Sequence, residues 1–312
     1  MRDAFVRRLF ELARADERIM LVTGDLGFNV LDQFAREMPR QFINAGVAEQ
    51  NMTGLATGLA LEGRIVFTYS IANFPTLRCL EQVRNDAAYH GANVKIVAIG
   101  GGFSYGALGV SHHATEDLAI LRSIPEVTVV SPGCEWEVSE ATTALVETPG
   151  TCYFRLDKSS ARNTSRAGER FQIGRGRVVK EGHDLAIITC GGILGVVLDA
   201  ASRLGSSTSS PTVVSLHTVK PIDRDLLIEL ARTHAALLIV EEHILDGGLG
   251  GAIAEVLLDA RVHPAGWRRL GLRGGFSSIV GSQDYLRTRY GLDADAIVAA
   301  AEELLRAQAA SI

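Results

Sequence analysis

Apolar positions along this chain follow two periods in alternation. Residues 3–15 put Phe5, Val6, Leu9, Phe10, Leu12 and Ala13 at helical spacing and predict an amphipathic helix. Residues 18–23 form a short apolar run that predicts a buried strand, closed by Gly24-Asp25-Leu26-Gly27. The pattern then repeats. Strands are predicted at 41–44, 65–69, 94–99, 127–130 and 151–155, with helices at 30–38, 77–90, 117–122 and 136–147. A further helix follows the strand at 41–44, within the stretch 44–60. Its Gly54, Ala56, Gly58 and Ala60 leave little side-chain volume, which predicts close packing against other backbone. A glycine-rich loop spans 100–113.

A polar connector at 159–168 and an edge strand at 171–180 lead into a second series. Its strands are predicted at 185–189, 212–216, 237–241 and 267–272. Its helices fall at about 195–204, 223–232, 247–258, 286–290 and 293–309, and residues 206–211 read as a low-complexity surface loop. Strands alternating with helices predict parallel sheets covered on both faces. The fold class is therefore α/β, with two doubly wound, mainly parallel-sheet domains in tandem at 1–158 and 181–312, joined by a linker and edge segment at 159–180.

Composition narrows the function. The 312 residues suffice for two domains with sizeable cores, and 47% apolar with 21% charged residues is ordinary for a globular protein. A formal net charge of -5 without a basic tract argues against nucleic-acid binding. The longest apolar runs, such as 185–198, are interrupted and too short to span a bilayer. Met1-Arg2-Asp3-Ala4-Phe5 passes directly into a helical pattern, so no signal peptide is expected. Cys79, Cys134, Cys152 and Cys190 show no CxxC spacing and read as small core residues in a reducing cytoplasm.

Candidate chemistry collects where parallel strands end, the usual place for ligands in such sheets. Asp25, Glu49, Asn73 with Phe74, His112 with His113, and Arg155 each follow a predicted strand. At Glu49 the helix N-terminus favours the charged form and desolvation the protonated one. Glu49 is then either a helix cap or an acid able to share a proton with a ring nitrogen. Phe74, made extended by Pro75, is either a stacking platform for a heteroaromatic ring or core. His112 and His113 suit hydrogen bonding to a substrate better than metal binding, because adjacent histidines point apart. Gly100-Gly101-Gly102 lacks the Lys-Ser/Thr of a P-loop, and Gly247 to Gly251 opens a helix that serves either an anion or close packing. Ser111 beside His112 has no G-x-S-x-G elbow around it.

Taken in order, these residues resemble the transketolase family. The carriers are Gly24-Asp25-Leu26, Gly46-Val47-Ala48-Glu49-Gln50-Asn51-Met52, Tyr69-Ser70, Glu81-Gln82-Val83-Arg84-Asn85, Ser111-His112-His113-Ala114-Thr115-Glu116 and Tyr153-Phe154-Arg155. They cover nearly the whole chain, as a pyrimidine-binding domain followed by a C-terminal domain. Similar blocks occur in deoxyxylulose-phosphate synthases and in β subunits of 2-oxoacid dehydrogenase E1 components.

The resemblance implies thiamine diphosphate, with Glu49 on the aminopyrimidine N1′, Phe74 stacked on that ring, and Asp25 and Arg78 nearby. It implies His112 and His113 at the substrate, and Arg2, Asn29 and Arg155 on the substrate's anionic end. The family's diphosphate and Mg²⁺ site, a GDG motif followed by an Asn-containing segment, has no counterpart in this sequence. The resemblance therefore implies a split enzyme. An N-terminal transketolase subunit would hold the diphosphate and Mg²⁺, and this chain would pair with a second copy in a heterotetramer. The expected reaction is transfer of a two-carbon ketol unit from a ketose to an aldehyde. The alternatives are an E1 β subunit, a synthase-like carboligase and a non-catalytic interaction subunit.

Overall fold

The computed structural model describes residues 1–205 and 210–309, so most of the loop expected at 206–211 lies outside the described residues. The strands are β1 (Ile19–Thr23), β2 (Phe42–Asn44), β3 (Ile65–Ile71), β4 (Val94–Ile99), β5 (Thr128–Val130), β6 (Cys152–Leu156), β7 (Arg177–Lys180), β8 (Leu185–Thr189), β9 (Thr212–Ser215), β10 (Thr218–Lys220), β11 (Ala236–Ile244) and β12 (Gly266–Leu272). The α-helices are α1 (Arg2–Ala15), α2 (Asp32–Glu37), α3 (Glu49–Leu61), α4 (Asp117–Ser123), α5 (Glu135–Glu147), α6 (Leu194–Gly205), α7 (Arg224–Thr233), α8 (Leu249–Asp259), α9 (Gln283–Arg289) and α10 (Ala294–Ala309).

Two sheets result, and both are mainly parallel. The first runs β10-β5-β6-β4-β3-β1-β2 and the second β12-β11-β8-β9-β7. The antiparallel neighbours are β10 against β5 and β7 against β9. Strands β1, β3, β4 and β6 are buried almost throughout, as expected of strands covered on both faces. Phe5, Leu9 and Ala13 of α1 join Val138, Ala141 and Leu145 of α5 over the outer face of the first sheet. Ile297, Ala301 and Leu304 of α10 and Val197 and Ala201 of α6 cover the outer face of the second. Between the sheets one continuous core combines Met52 and Ala56 of α3 with Leu227 of α7 and Ile253 of α8.

Three local expectations change. β10 belongs to the C-terminal part of the chain yet completes the first sheet, so the two units share a sheet edge. The chain turns at His217, whose carbonyl accepts from Ser131 N–H at 2.7 Å, and Thr218 pairs with Val130. The helix predicted at 77–90 is a 3₁₀ turn at Leu77–Cys79 followed by a π-helical stretch at Gln82–Ala88, a winding that hydrophobic spacing alone does not reveal. Finally, Gly54 and Gly58 of α3 face outward, and a Cβ added at either would meet nothing within 4 Å. The expected close packing is absent at these two glycines, while Ala56 and Ala60 are buried. The inner face of α3 is Met52, Thr53, Ala56, Thr57 and Ala60.

Candidate active site

The carboxyl ends of β1, β2, β3, β4 and β6 form one rim, and the polar groups there stand in a row. Glu49 opens α3 just after β2 and is 1% exposed. Its Oε2 accepts from Arg78 Nη1 at 2.7 Å, and its Oε1 accepts from Ser70 Oγ at 3.4 Å. Ala48 holds the N-cap position without a side-chain bond. The carboxylate thus serves Arg78 and Ser70 rather than the helix's own amides, which removes the capping reading.

Arg78 sits on the 3₁₀ turn after β3, with its side chain 46% exposed. Its guanidinium carbon lies 4.4 Å from the centre of the Phe74 ring. That ring meets His112 edge-on at 5.2 Å, and His112 stands 6.2 Å from the Tyr105 ring. Tyr105 in turn carries Lys158 Nζ 3.8 Å above its centre. Arg2, Tyr105 and Lys158 line a hollow of about 260 Å³ beyond it. Glu49, Arg78, Phe74, His112 and Tyr105 therefore run continuously from a buried acid to a hollow lined by two cations, Arg2 and Lys158, and three acids, Asp3, Glu135 and Asp157, with Arg2 Nε donating to Asp3 at 2.9 Å.

The electrostatics follow exposure. Burial and the neighbouring His113 push the His112 imidazole down, which favours its neutral form near pH 7. Burial and Arg2 lower the Lys158 ammonium, and burial raises the Tyr105 phenol. Asp25 has a left-handed backbone at φ 59° and accepts from Asn44 Nδ2 at 2.8 Å, tying the ends of β1 and β2 together. Asn29 lies on the same loop, exposed, at φ 62°.

Two expected substrate contacts are corrected. Arg155 is 1% exposed, with Nε 3.0 Å from Asp117 and Nη2 donating to the carbonyls of Ala114 and Glu242. Its side chain enters the space between the sheets because alternate residues of β6 point to opposite faces. His113 is also turned inward, with Nε2 3.1 Å from the Gly106 carbonyl and Phe103 against its ring. Lys158 and Tyr105 were missed. Lys158 follows β6 three residues after Arg155, so a shift of register was the available signal. Tyr105 lies in a loop whose glycines hide its direction. A Cβ at Gly100 would strike the Tyr105 ring, so that glycine makes room for it.

All four cysteines are free and buried. Among the described residues, no group of three or more His, Cys, Asp or Glu side chains is arranged for a metal, and no helix is long and apolar enough to cross a membrane.

Comparison with known proteins agrees with this geometry. Residues 1–164 match the transketolase pyrimidine-binding domain and residues 174–297 the transketolase C-terminal domain. A 6-deoxy-6-sulfo-D-fructose transketolase subunit of a Clostridium species is 35% identical over 97% of this chain and 94% of its own length. An apulose-4-phosphate transketolase subunit of Phocaeicola vulgatus is 33% identical over 98% and 97%. A solved structure of a split-gene transketolase, an inactive beta4 tetramer, shares 35% identity at a TM-score of 0.87, covering 98% of this chain and 97% of that one. The chain belongs to the transketolase family, with the pyrimidine-binding and C-terminal domains in tandem as in its split, two-chain members.

Proposed function

We propose that this chain is the C-terminal subunit of a split transketolase that moves a two-carbon ketol unit from a ketose to an aldehyde. The observation that carries the reading is the buried Glu49 carboxylate, bonded at the strand ends to Arg78, which lies over the Phe74 ring that meets His112. The family uses thiamine diphosphate, and the residues fit its aminopyrimidine. Arg78 provides the test of fit. Its guanidinium, flat and rich in N–H groups, stacks on Phe74 and bonds Glu49, the same two relations an aminopyrimidine would need. Because Arg78 is half exposed, water can replace what it gives up.

Bound thiamine diphosphate would supply the stabilised carbanion chemistry that a protein side chain lacks. Glu49 would share a proton with N1′ of the pyrimidine, and a sheltered carboxylate is suited to that exchange. Phe74 would hold the ring by its face. Asp25, fixed by Asn44, would border the same pocket, with Asn29 on its outer lip. His112, neutral near pH 7, would hydrogen-bond the reacting oxygen of the sugar and pass a proton there. Lys158, with Arg2 released from its exposed pair with Asp3, would receive the phosphate of a phosphorylated sugar at the far end of the substrate.

Among the described residues no group of three or more His, Cys, Asp or Glu is arranged for Mg²⁺, and we assign the diphosphate and metal site to an N-terminal partner subunit. The outward face of α3 at Gly54 and Gly58 would meet a second copy in a heterotetramer, and we place the complex in the cytoplasm. The test mixes this chain with its partner subunit, thiamine diphosphate and Mg²⁺, offers a panel of ketose phosphates with an aldehyde acceptor and, separately, 2-oxoacids, and follows two-carbon transfer and CO₂ release. Transfer by the mixture and by neither chain alone is expected. Release of CO₂ from 2-oxoacids in place of transfer would contradict the reading.

A further inference from the structure

The loop carrying Tyr105 and His112 leaves β4 at Gly100 and comes back at Ala114. Its neck closes by a mutual pair, Gly102 N–H to the Ala114 carbonyl at 2.8 Å and Ala114 N–H to the Gly102 carbonyl at 3.0 Å. The second sheet holds this neck from behind. Glu242 on β11 is 2% exposed, and its Oε1 accepts from Phe103 N–H at 2.6 Å and from Gln283 Nε2 at 2.8 Å. Its Oε2 accepts from Arg287 Nε of α9 at 2.6 Å. Two residues on, Ile244 N–H donates to the Thr115 carbonyl at 2.8 Å. Gly102 has φ +59°, and a Cβ there would lie 2.5 Å from Glu242 Oε1, so loop and carboxylate meet at backbone distance. Further along, Tyr290 stacks on Phe103 at 5.3 Å, and Gly281 N–H donates to the Gly106 carbonyl at 3.3 Å.

We propose that Glu242 is a positioning residue: from the C-terminal domain it fixes the stance of loop 103–113 and thereby sets where His112 and Tyr105 stand on the rim. The role in turnover rests on the transketolase reading above; the clamp itself does not. Each oxygen of Glu242 has its own donors, the loop amide with Gln283 on one side and Arg287 on the other. A glutamine in its place must turn an NH₂ group toward one of those donors, leaving two N–H groups face to face. The shape stays, at least one donor loses its bond, and the buried Arg287 loses its carboxylate. A buried charge-assisted bond to a backbone amide is stronger than a neutral one, so its loss should free the loop before it unfolds the domain.

The test is Glu242→Gln beside Leu257→Ala, a cavity in the same domain in a core cluster that holds no residue of the loop. Amide hydrogen exchange of each chain is measured without the partner. Turnover and cofactor affinity are measured in the complex with the partner, thiamine diphosphate and Mg²⁺. The proposal expects exchange across 103–113 to rise about tenfold in Glu242→Gln and to stay at the wild-type rate in Leu257→Ala. It expects kcat/KM to fall about tenfold in Glu242→Gln while thiamine diphosphate affinity stays within about twofold, since Glu49 and Phe74 lie outside the clamp. Unchanged loop exchange would overturn it. So would equal loosening in Leu257→Ala, or raised exchange with unchanged kcat/KM. If Glu242→Gln does not fold, Gln283→Met removes one donor to the same carboxylate and decides the question by a smaller rise or none. A wild-type complex with no ketol transfer would count against the proposed function, and the exchange data would still judge the clamp.

Discussion

Two regions of this molecule are built from the same pair of groups, arginine and carboxylate, and they behave as opposites. At the rim, Arg78 meets Glu49 with the acid buried and the arginine side chain 46% exposed. Between the sheets, Arg155 meets Asp117 and Arg287 meets Glu242 with every partner 4% exposed or less. Around Arg155, the Tyr153 hydroxyl donates to Asp117 at 2.6 Å, and Gly192 N–H donates to Asp157 at 2.5 Å. Burial opposes the charge on Arg155, and Asp117 and Asp157 more than offset it. A sealed pair of this kind fixes geometry, because removing either member strands the other without water. An open pair can exchange one member for a ligand. That difference assigns Arg155 to architecture and leaves Arg78 and Glu49 free for function.

The comparison can be broken at either end. Arg155→Met should have the largest effect, a loss of about 3–5 kcal/mol, because it leaves Asp117 and Asp157 buried without their cation. Urea unfolding measures it, and a loss below about 1 kcal/mol would show that the cluster is not sealed. Acid should act next, through the same interior. His217 is fully buried against Phe171, and burial pushes its imidazole down to about 4. The unfolded chain binds this proton near pH 6.5, whereas the folded chain resists it until about pH 4. Stability is therefore full above about pH 6.5 and falls by up to about 3 kcal/mol as pH drops toward 4. His217→Gln should flatten that slope in urea midpoints taken across the range. The smallest effect belongs to the rim. Arg78→Ala should cost less than about 1 kcal/mol, since a half-exposed pair exchanges readily with water. A loss above about 2 kcal/mol would place Arg78 among the fixed pairs.

The strands were legible because buried parallel strands are written as plain apolar runs, as in Val94–Ile99 and Ala236–Ile244. Glu49 was legible for a related reason: a single acid ahead of a run of small, apolar residues stands out against its surroundings. The π-helical stretch at Gln82–Ala88 was not, since its apolar residues satisfy an α-helical spacing equally well. Nor was β10, a three-residue strand whose partner β5 lies far back in the chain. Arg155 and Lys158 show the limit most directly. Arg155 lies within β6, where the pleat turns its side chain into the interior, and Lys158 lies past the end of β6, where no strand period sets its direction. The small residues of α3 divide in a way the sequence does not show: Ala56 and Ala60 are buried, while Gly54 and Gly58 are exposed.

The central claim is that Glu49 is half of an active site completed by a second chain. The most direct measurement is Glu49→Gln in the reconstituted complex, with assembly checked by sedimentation and two-carbon transfer followed under saturating thiamine diphosphate. The account predicts an intact complex whose kcat falls by about 10²-fold or more, the scale of a lost positioned proton donor. An intact complex with undiminished kcat would contradict it.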